Sequence, residues 1–238
     1  MSDMSDMSMP GGWTMSMMWM RMPGQSWPGA AASFLGMWIV MMVAMMLPSL
    51  VPMLRRYRQA VERTGGSGVG GGTSGARLGW LTTLVGMGYF FVWTAVGVAV
   101  FPIGVALSAI SMREPTLART VPLASAGVLL IAGLVQFTKW KARHLACCSD
   151  AVVRGRALAA DTGTAWRHGL RLGVQCVHAC VGLMAIPLVM GIMDLPVMAV
   201  VAAAITAERL APSGARVAHG IGVVVIAAGL FLVVRTAA

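Results

Sequence analysis

The chain has 238 residues, of which 58% are hydrophobic and 11% are charged, and its mean hydropathy is +0.78. Soluble domains contain about 45–50% apolar and about 25% charged residues, so this composition excludes a water-soluble enzyme, a disordered chain and a small disulfide-stapled module. Eighteen Lys and Arg residues against eight acidic ones give a formal net charge of +10. In so apolar a chain, that charge indicates basic loops on the cytoplasmic face of a membrane, and no nucleic-acid partner is expected.

Six apolar segments predict membrane-spanning helices, because a bilayer core requires about 20 largely apolar residues per helix. In chain order they cover residues 30–54, 78–110, 121–138, 172–193, 196–207 and 217–234. The fifth segment is short for a full span, and it equally fits half of a hairpin that turns at Asp194 and Pro196. The expected fold is an all-α, polytopic membrane helix bundle of about six transmembrane helices.

Basic residues are distributed unevenly between the predicted loops. Fourteen of the eighteen Lys and Arg residues fall in the loops that follow the first, third and fifth segments. Because basic loops remain in the cytoplasm, we expect these three loops to lie inside and both termini outside, in the cytoplasmic (inner) membrane of a bacterium. Residues 30–238 then form the transmembrane domain, with a Gly-rich cytoplasmic tether over 64–76 and a basic cytoplasmic loop over 139–168.

The first 29 residues are rich in methionine, with Met1, Met4 and Met7 spaced three apart. Thioethers suit Cu(I), so a Met-rich segment outside the cell predicts a region that collects copper. The alternative is a low-complexity tail whose tryptophans lie at the membrane interface.

Methionine also recurs within the first predicted span. Met37, Met41 and Met45 follow one helix stripe, and Met42 and Met46 follow the neighbouring one. These stripes fit either a row of ligands or packing, because Met is a common filler of apolar cores.

Cysteine and histidine occur together in the fourth predicted span. Cys176, Cys180 and Met184 are successive i, i+4 positions, so their sulfurs share one helix face. His178 lies about 200° from Cys176 at about 100° per residue, and it cannot join the pair without local unwinding. A histidine inside a span is a functional candidate, and the alternative is a neutral imidazole hydrogen-bonded to a carbonyl.

A third cluster, His144, Cys147 and Cys148, follows the third predicted span. These residue types bind Zn(II) or copper, but three residues from one segment do not complete a tetrahedral site. The missing ligands have to come from other helices. The predicted metal ligands are therefore Cys176, Cys180, His178, Cys147, Cys148, His144, Met184, Met41 and Met45.

Distance from the cytoplasmic face supports one shared site. Met45 lies ten residues before Arg55, about 15 Å along a helix, and Cys180 lies nine residues after Arg171, about 14 Å. Glu208 is expected nearby, either paired with Arg209 or supporting a ligand.

Several longer motifs can be read along the chain: MWIVMMVAMMLPS at 37–49, GYFFVW at 88–93, AGLVQFTKWK at 132–141, HLACC at 144–148, CVHACVGLM at 176–184 and GIMDLPVMA at 191–199. Together they resemble a bacterial family of predicted metal-binding integral membrane proteins, over residues 38–212. In that family the third span ends in Cys-x-x-His-Cys. Here His144 stands at the position of the first Cys, and Cys147 stands at the position of the His. The fourth span of the family reads Cys-x-Gly-Cys-Cys. This chain matches at Cys148, Cys176 and Cys180 and departs at His178 and Ala179. The resemblance implies a metal site at these positions.

The favoured function is copper handling: binding, transport, or transfer to a membrane enzyme that requires copper, with zinc as the alternative metal. A second interpretation is an accessory subunit of a larger membrane complex, for which Gly79, Gly86, Gly88 and Gly97 allow close helix contacts. A thiol oxidoreductase is disfavoured, because the chain contains no Cys-x-x-Cys motif. Phosphate-binding, zinc-protease and hydrolase motifs are absent too, so no enzymatic activity is expected. The lipid bilayer is the expected environment.

Overall fold

The computed structural model describes residues 6–9, 13–16, 19, 24–65, 75–150, 161–190, 194–211 and 213–237. Within these ranges the chain is helical apart from one small antiparallel hairpin. The elements are β1 (Asp6–Met9), β2 (Trp13–Ser16), α1 (Trp27–Gly65), α2 (Gly75–Arg113), α3 (Pro115–Val135), α4 (Lys139–Asp150), α5 (Thr162–Met190), α6 (Leu195–Leu210) and α7 (Gly214–Ala237). Each predicted span corresponds to a helix, which confirms the helical class.

Among the described helices, α1, α2, α5 and α7 are long and apolar enough to cross a membrane. Helices α3 and α4 meet at 65° and together qualify as one broken span. Helix α6 has 16 residues and is about 24 Å long at 1.5 Å per residue, which is short of a bilayer core of about 30 Å. The described helices therefore include four or five candidate spans. The sixth span and the placement of the termini stay predictions.

The third predicted span differs from the observed helices at its end. Helix α3 stops at Val135, three residues earlier than expected, and α4 begins at Lys139. The Thr138 hydroxyl accepts a hydrogen bond from the Lys141 backbone N–H at 3.2 Å and so caps α4. The basic loop predicted over 139–168 thus contains helix α4. The axes of α3 and α4 differ in direction by 65° at the break between them.

The start of α5 is fixed by a side-chain cap. The Asp161 carboxylate accepts a hydrogen bond from the Thr164 backbone N–H at 2.8 Å. This hydrogen bond lowers the pKa of Asp161, because it stabilises the ionised carboxylate.

The N-terminal hairpin is a departure from the all-α expectation. Strands β1 and β2 pair antiparallel, with Met7 opposite Met15 and Ser8 opposite Thr14. Polar and apolar residues alternate in both strands, which is the sequence pattern of a β-strand. The Gly-rich tether lies mostly outside the described residues, as do residues 151–160 of the basic loop.

Close contact between α2 and α5 depends on glycine. A Cβ at Gly88 would lie 2.9 Å from the Trp166 carbonyl oxygen, and one at Gly169 would overlap the Val85 carbonyl. Two backbones can therefore approach each other only because these side chains are absent. Gly97 similarly accommodates the Trp38 ring.

The outer surface of the bundle is apolar. Val40 is 70% exposed, Leu195 is 73% exposed and Val224 is 68% exposed, and many other large hydrophobic side chains also face outward. Exposed apolar area on this scale is unfavourable in water. It suits contact with lipid.

Candidate metal centre

Two thiols of α5 form the centre of the candidate site. Cys176 and Cys180 are one helical turn apart, both are free and buried, and their Sγ atoms are 3.8 Å apart. Because i and i+4 positions share a helix face, this arrangement confirms that the two cysteines lie together.

A third sulfur reaches this pair from α1. The Met46 Sδ atom lies 3.9 Å from the Cys176 Sγ atom, and Met46 is fully buried. The distances from the cytoplasmic face, counted along the sequence, predicted that a Met of α1 and a Cys of α5 lie at the same level. They indicated Met45, whereas the structure places Met46 beside the thiols. Neighbouring residues differ by about 100° around the helix, and only packing fixes which one faces the thiols. Met41, Met45 and Met184 are buried in the same core.

Helix α2 supplies a hydroxyl to the thiol pair. The Tyr89 hydroxyl lies 2.9 Å from Cys176 Sγ, and Tyr89 is fully buried. The Trp93 indole N–H is also buried and faces the same sulfur. The Trp93 backbone carbonyl accepts a hydrogen bond from the Trp38 indole N–H at 2.9 Å, which ties α2 to α1. Both α2 residues lie in the motif GYFFVW at 88–93, which the sequence analysis used for the family resemblance, but they were not predicted at the site because nothing in their spacing indicates a ligand.

The sulfur spacing fits a small soft cation. With a metal–thiolate bond of about 2.3 Å, three sulfurs in a trigonal plane are about 4.0 Å apart, and the two measured separations are 3.8 Å and 3.9 Å. Across the described residues, no three His, Cys, Asp or Glu side chains converge as in a metal site. Two thiols and a thioether are the donors that suit Cu(I), whereas structural Zn(II) takes four ligands.

A buried ion pair lies beside the thiols. The Lys141 ammonium contacts Glu208 Oε2 at 2.8 Å and donates a hydrogen bond to the Ala179 carbonyl oxygen. Both charged side chains are almost completely buried. Lys141 belongs to the basic loop predicted over 139–168, and in the structure this residue lies in α4 with its side chain buried against α5 and α6. Arg209, the expected partner of Glu208, interacts electrostatically with it and also donates a hydrogen bond to the Ser49 hydroxyl at 3.1 Å.

Comparison with known families agrees with this chemistry. A family model described as "PpoB2: Copper chaperone" matches residues 35–232, which is well over half of the chain. The chain belongs to this copper chaperone family. No curated protein and no solved structure matches it.

In this copper chaperone family member, the predicted histidine ligands lie apart from the thiols. The exposed His178 bonds through Nδ1 to the Val174 carbonyl oxygen at 2.8 Å. Its ring stacks on that of His144, with centroids 5.1 Å apart, and Trp140 lies edge-on to both. The carbonyl partner of His178 comes from its own helix, one turn earlier.

The structure therefore divides the predicted ligands into two groups on different faces of α5. Cys176 and Cys180 face inward with Met46, and His178 faces outward with His144. Cys147 and Cys148 are part of α4, but their side chains lie outside the described residues.

Proposed function

We propose that this protein is an integral membrane copper chaperone that holds Cu(I) between Cys176, Cys180 and Met46 and passes it to a copper-requiring membrane enzyme. The observation that carries the proposal is the convergence of three buried sulfurs from two helices, with separations of 3.8 Å and 3.9 Å. Membership of a copper chaperone family supports copper as the cargo and a copper-using protein as the partner. The apolar outer surface and the long apolar helices support the membrane location.

The type of each donor supports a carrier of Cu(I). Thiolates bind Cu(I) strongly, whereas a thioether is a neutral and weaker ligand. A site with two thiolates and one thioether can therefore lose the Met46 contact first, which opens a coordination position for an incoming ligand of the acceptor. A permanent structural site would gain nothing from such a ligand.

Other predicted ligands extend this proposal outward from the centre. The Met-rich N-terminal residues act as collectors of copper outside the membrane. The stacked rings of His144 and His178, at the contact of α4 with α5, are a stop at which an ion is held only in passage, and Cys147 and Cys148 of α4 are proposed as further donors to a passing ion. Met41, Met45 and Met184 are buried in the same hydrophobic core as the three central sulfurs and are proposed as further thioether donors.

A metal-retention experiment tests the proposal. The full chain is purified in detergent under reducing conditions, loaded with Cu(I), passed through a desalting column and examined by elemental analysis. We expect the unmodified protein to retain copper and the Cys176→Ala/Cys180→Ala variant to lose it. The matched control, Cys147→Ala/Cys148→Ala, removes the same number of thiols from donors that hold an ion only in passage, and it should therefore retain the copper bound at the central site after desalting.

Two outcomes contradict the proposal. Equal retention of copper by the two double variants would exclude the Cys176–Cys180 pair as the site. If the purified protein contains no metal and does not bind added Cu(I), the alternative interpretation is favoured. In that interpretation the protein is an accessory subunit whose Cys and Met side chains contribute only to packing.

A further inference from the structure

Three charged side chains next to the thiol pair carry a combined charge of +1. Lys141 and Glu208 form the buried ion pair, and Arg209 follows Glu208 on α6 with its side chain only half-buried. Surface charges are strongly screened, but charges inside an apolar bundle interact through a much lower effective dielectric constant. The sign and number of these charges therefore matter for any ion held among them.

Both cations reach the helices that supply the sulfur donors. The Lys141 ammonium donates to the carbonyl of Ala179, the residue that precedes Cys180 on α5. The Arg209 guanidinium donates to the Ser49 hydroxyl, which in turn donates to the Met46 carbonyl at 3.0 Å on α1. Arg209 also interacts electrostatically with both thiols, and Lys141 interacts with Cys180.

Charge counting distinguishes the metals that the thiol pair can take. When Cu(I) binds, two S–H bonds break, two S–Cu bonds form and two protons leave to water, with no change of oxidation state. Two thiolates and one Cu(I) then carry a charge of −1, whereas two thiolates and a divalent ion carry none. Burying an uncompensated charge is costly, so the complex that the surroundings neutralise is favoured.

We propose that Lys141, Glu208 and Arg209 form a counter-ion set whose net charge of +1 makes the Cys176–Cys180 pair selective for a monovalent over a divalent cation. This inference rests on the proposed function, because it assigns a specificity to that same site. With Cu(I) bound, the site and the counter-ion set are neutral as a whole. With Zn(II) bound, the same group keeps an excess positive charge.

The ion pair explains why the set contains more than one cation. A single buried Lys141 without a partner would be costly in the copper-free protein, and Glu208 satisfies it. Because this pair is neutral, Arg209 supplies the excess charge. Removal of Arg209 should therefore change metal selectivity, whereas removal of the whole Lys141–Glu208 pair should not.

The experiment compares Cu(I) and Zn(II) affinities across three variants of the full chain in detergent, each by competition with a chelator of known affinity. Arg209→Gln lowers the charge of the set to zero, and we expect Cu(I) to bind about tenfold more weakly and Zn(II) more tightly. Arg209→Lys keeps the charge and should retain the affinities of the unmodified protein. Lys141→Met/Glu208→Met also keeps +1 and leaves no polar side chain at either buried position, so it should retain the ratio of Cu(I) to Zn(II) affinity.

The outcomes separate this inference from the proposed function. If the unmodified protein does not bind Cu(I), or if the Cys176→Ala/Cys180→Ala variant binds it equally well, the proposed function fails. If Cu(I) binding depends on the thiols but Arg209→Gln leaves the ratio of the two affinities unchanged, the counter-ion role is overturned and the copper site stands. A thermal unfolding curve for each variant verifies that the compared proteins are folded.

Discussion

Replacement of Tyr89 by Phe removes one hydroxyl from the sulfur cluster and leaves the aromatic ring in place. The hydroxyl lies 2.9 Å from Cys176 Sγ, inside the bundle. Once Cys176 is a metal-bound thiolate, the hydroxyl donates to a charged acceptor, and such a hydrogen bond contributes about 1.5–3 kcal/mol. Since about 1.4 kcal/mol corresponds to a tenfold change in affinity, we expect Cu(I) to bind about 10- to 100-fold more weakly. Loss of an outer-shell partner of a metal ligand has effects of this size.

The assay is a competition titration with a Cu(I) chelator at fixed pH, and the chain offers a matched control. Tyr57 is the other tyrosine in the sequence, and it is also fully buried. Its hydroxyl makes no hydrogen bond within the described part of the chain, so Tyr57→Phe should leave the Cu(I) affinity unchanged. If Tyr89→Phe binds Cu(I) as tightly as the unmodified protein, or if both variants weaken it equally, the hydrogen bond to the thiolate has no role in binding.

Three further predictions address the third ligand, the helix contact and the topology. Met46→Leu conserves side-chain volume and should weaken Cu(I) binding at least about tenfold, with loss of one sulfur neighbour by X-ray absorption; an unchanged spectrum would exclude the thioether. Gly88→Ala should lower the free energy of unfolding by about 1–3 kcal/mol through overpacking against α5. Gly86→Ala meets no atom within 4 Å and should be neutral or stabilise by up to about 1 kcal/mol, so equal thermal shifts would contradict this packing account. A single cysteine at Ser67, in a chain whose own cysteines are replaced, should resist an impermeant thiol reagent in intact cells, and ready labelling would reverse the predicted orientation.

Local regularities explain which parts of the fold and the site could be read from the sequence. The apolar runs located every helix except α4, because a long apolar segment satisfies its backbone hydrogen bonds internally, whereas α4 lies in the basic loop. The i, i+4 spacing placed Cys176 and Cys180 on one face and His178 away from it, since a helix has fixed geometry. The break at residues 136–138 was missed, and with it the burial of Lys141, because Gln, Phe and Thr at these positions carry no charge and include no Gly or Pro that would mark a turn.

The amino-acid order by itself determined the helical class, the apolar exterior and the pairing of two thiols along α5, because each of these depends on residues close together in the chain. Only the tertiary structure decided that Met46 supplies the third sulfur, that Tyr89 faces Cys176 and that Glu208 pairs with Lys141. These contacts join residues 130, 87 and 67 positions apart. They depend on how each helix is rotated about its axis and how closely it approaches its neighbour. Those two quantities are set by packing of the whole bundle, including the glycine contact of α2 with α5, and no local pattern encodes them.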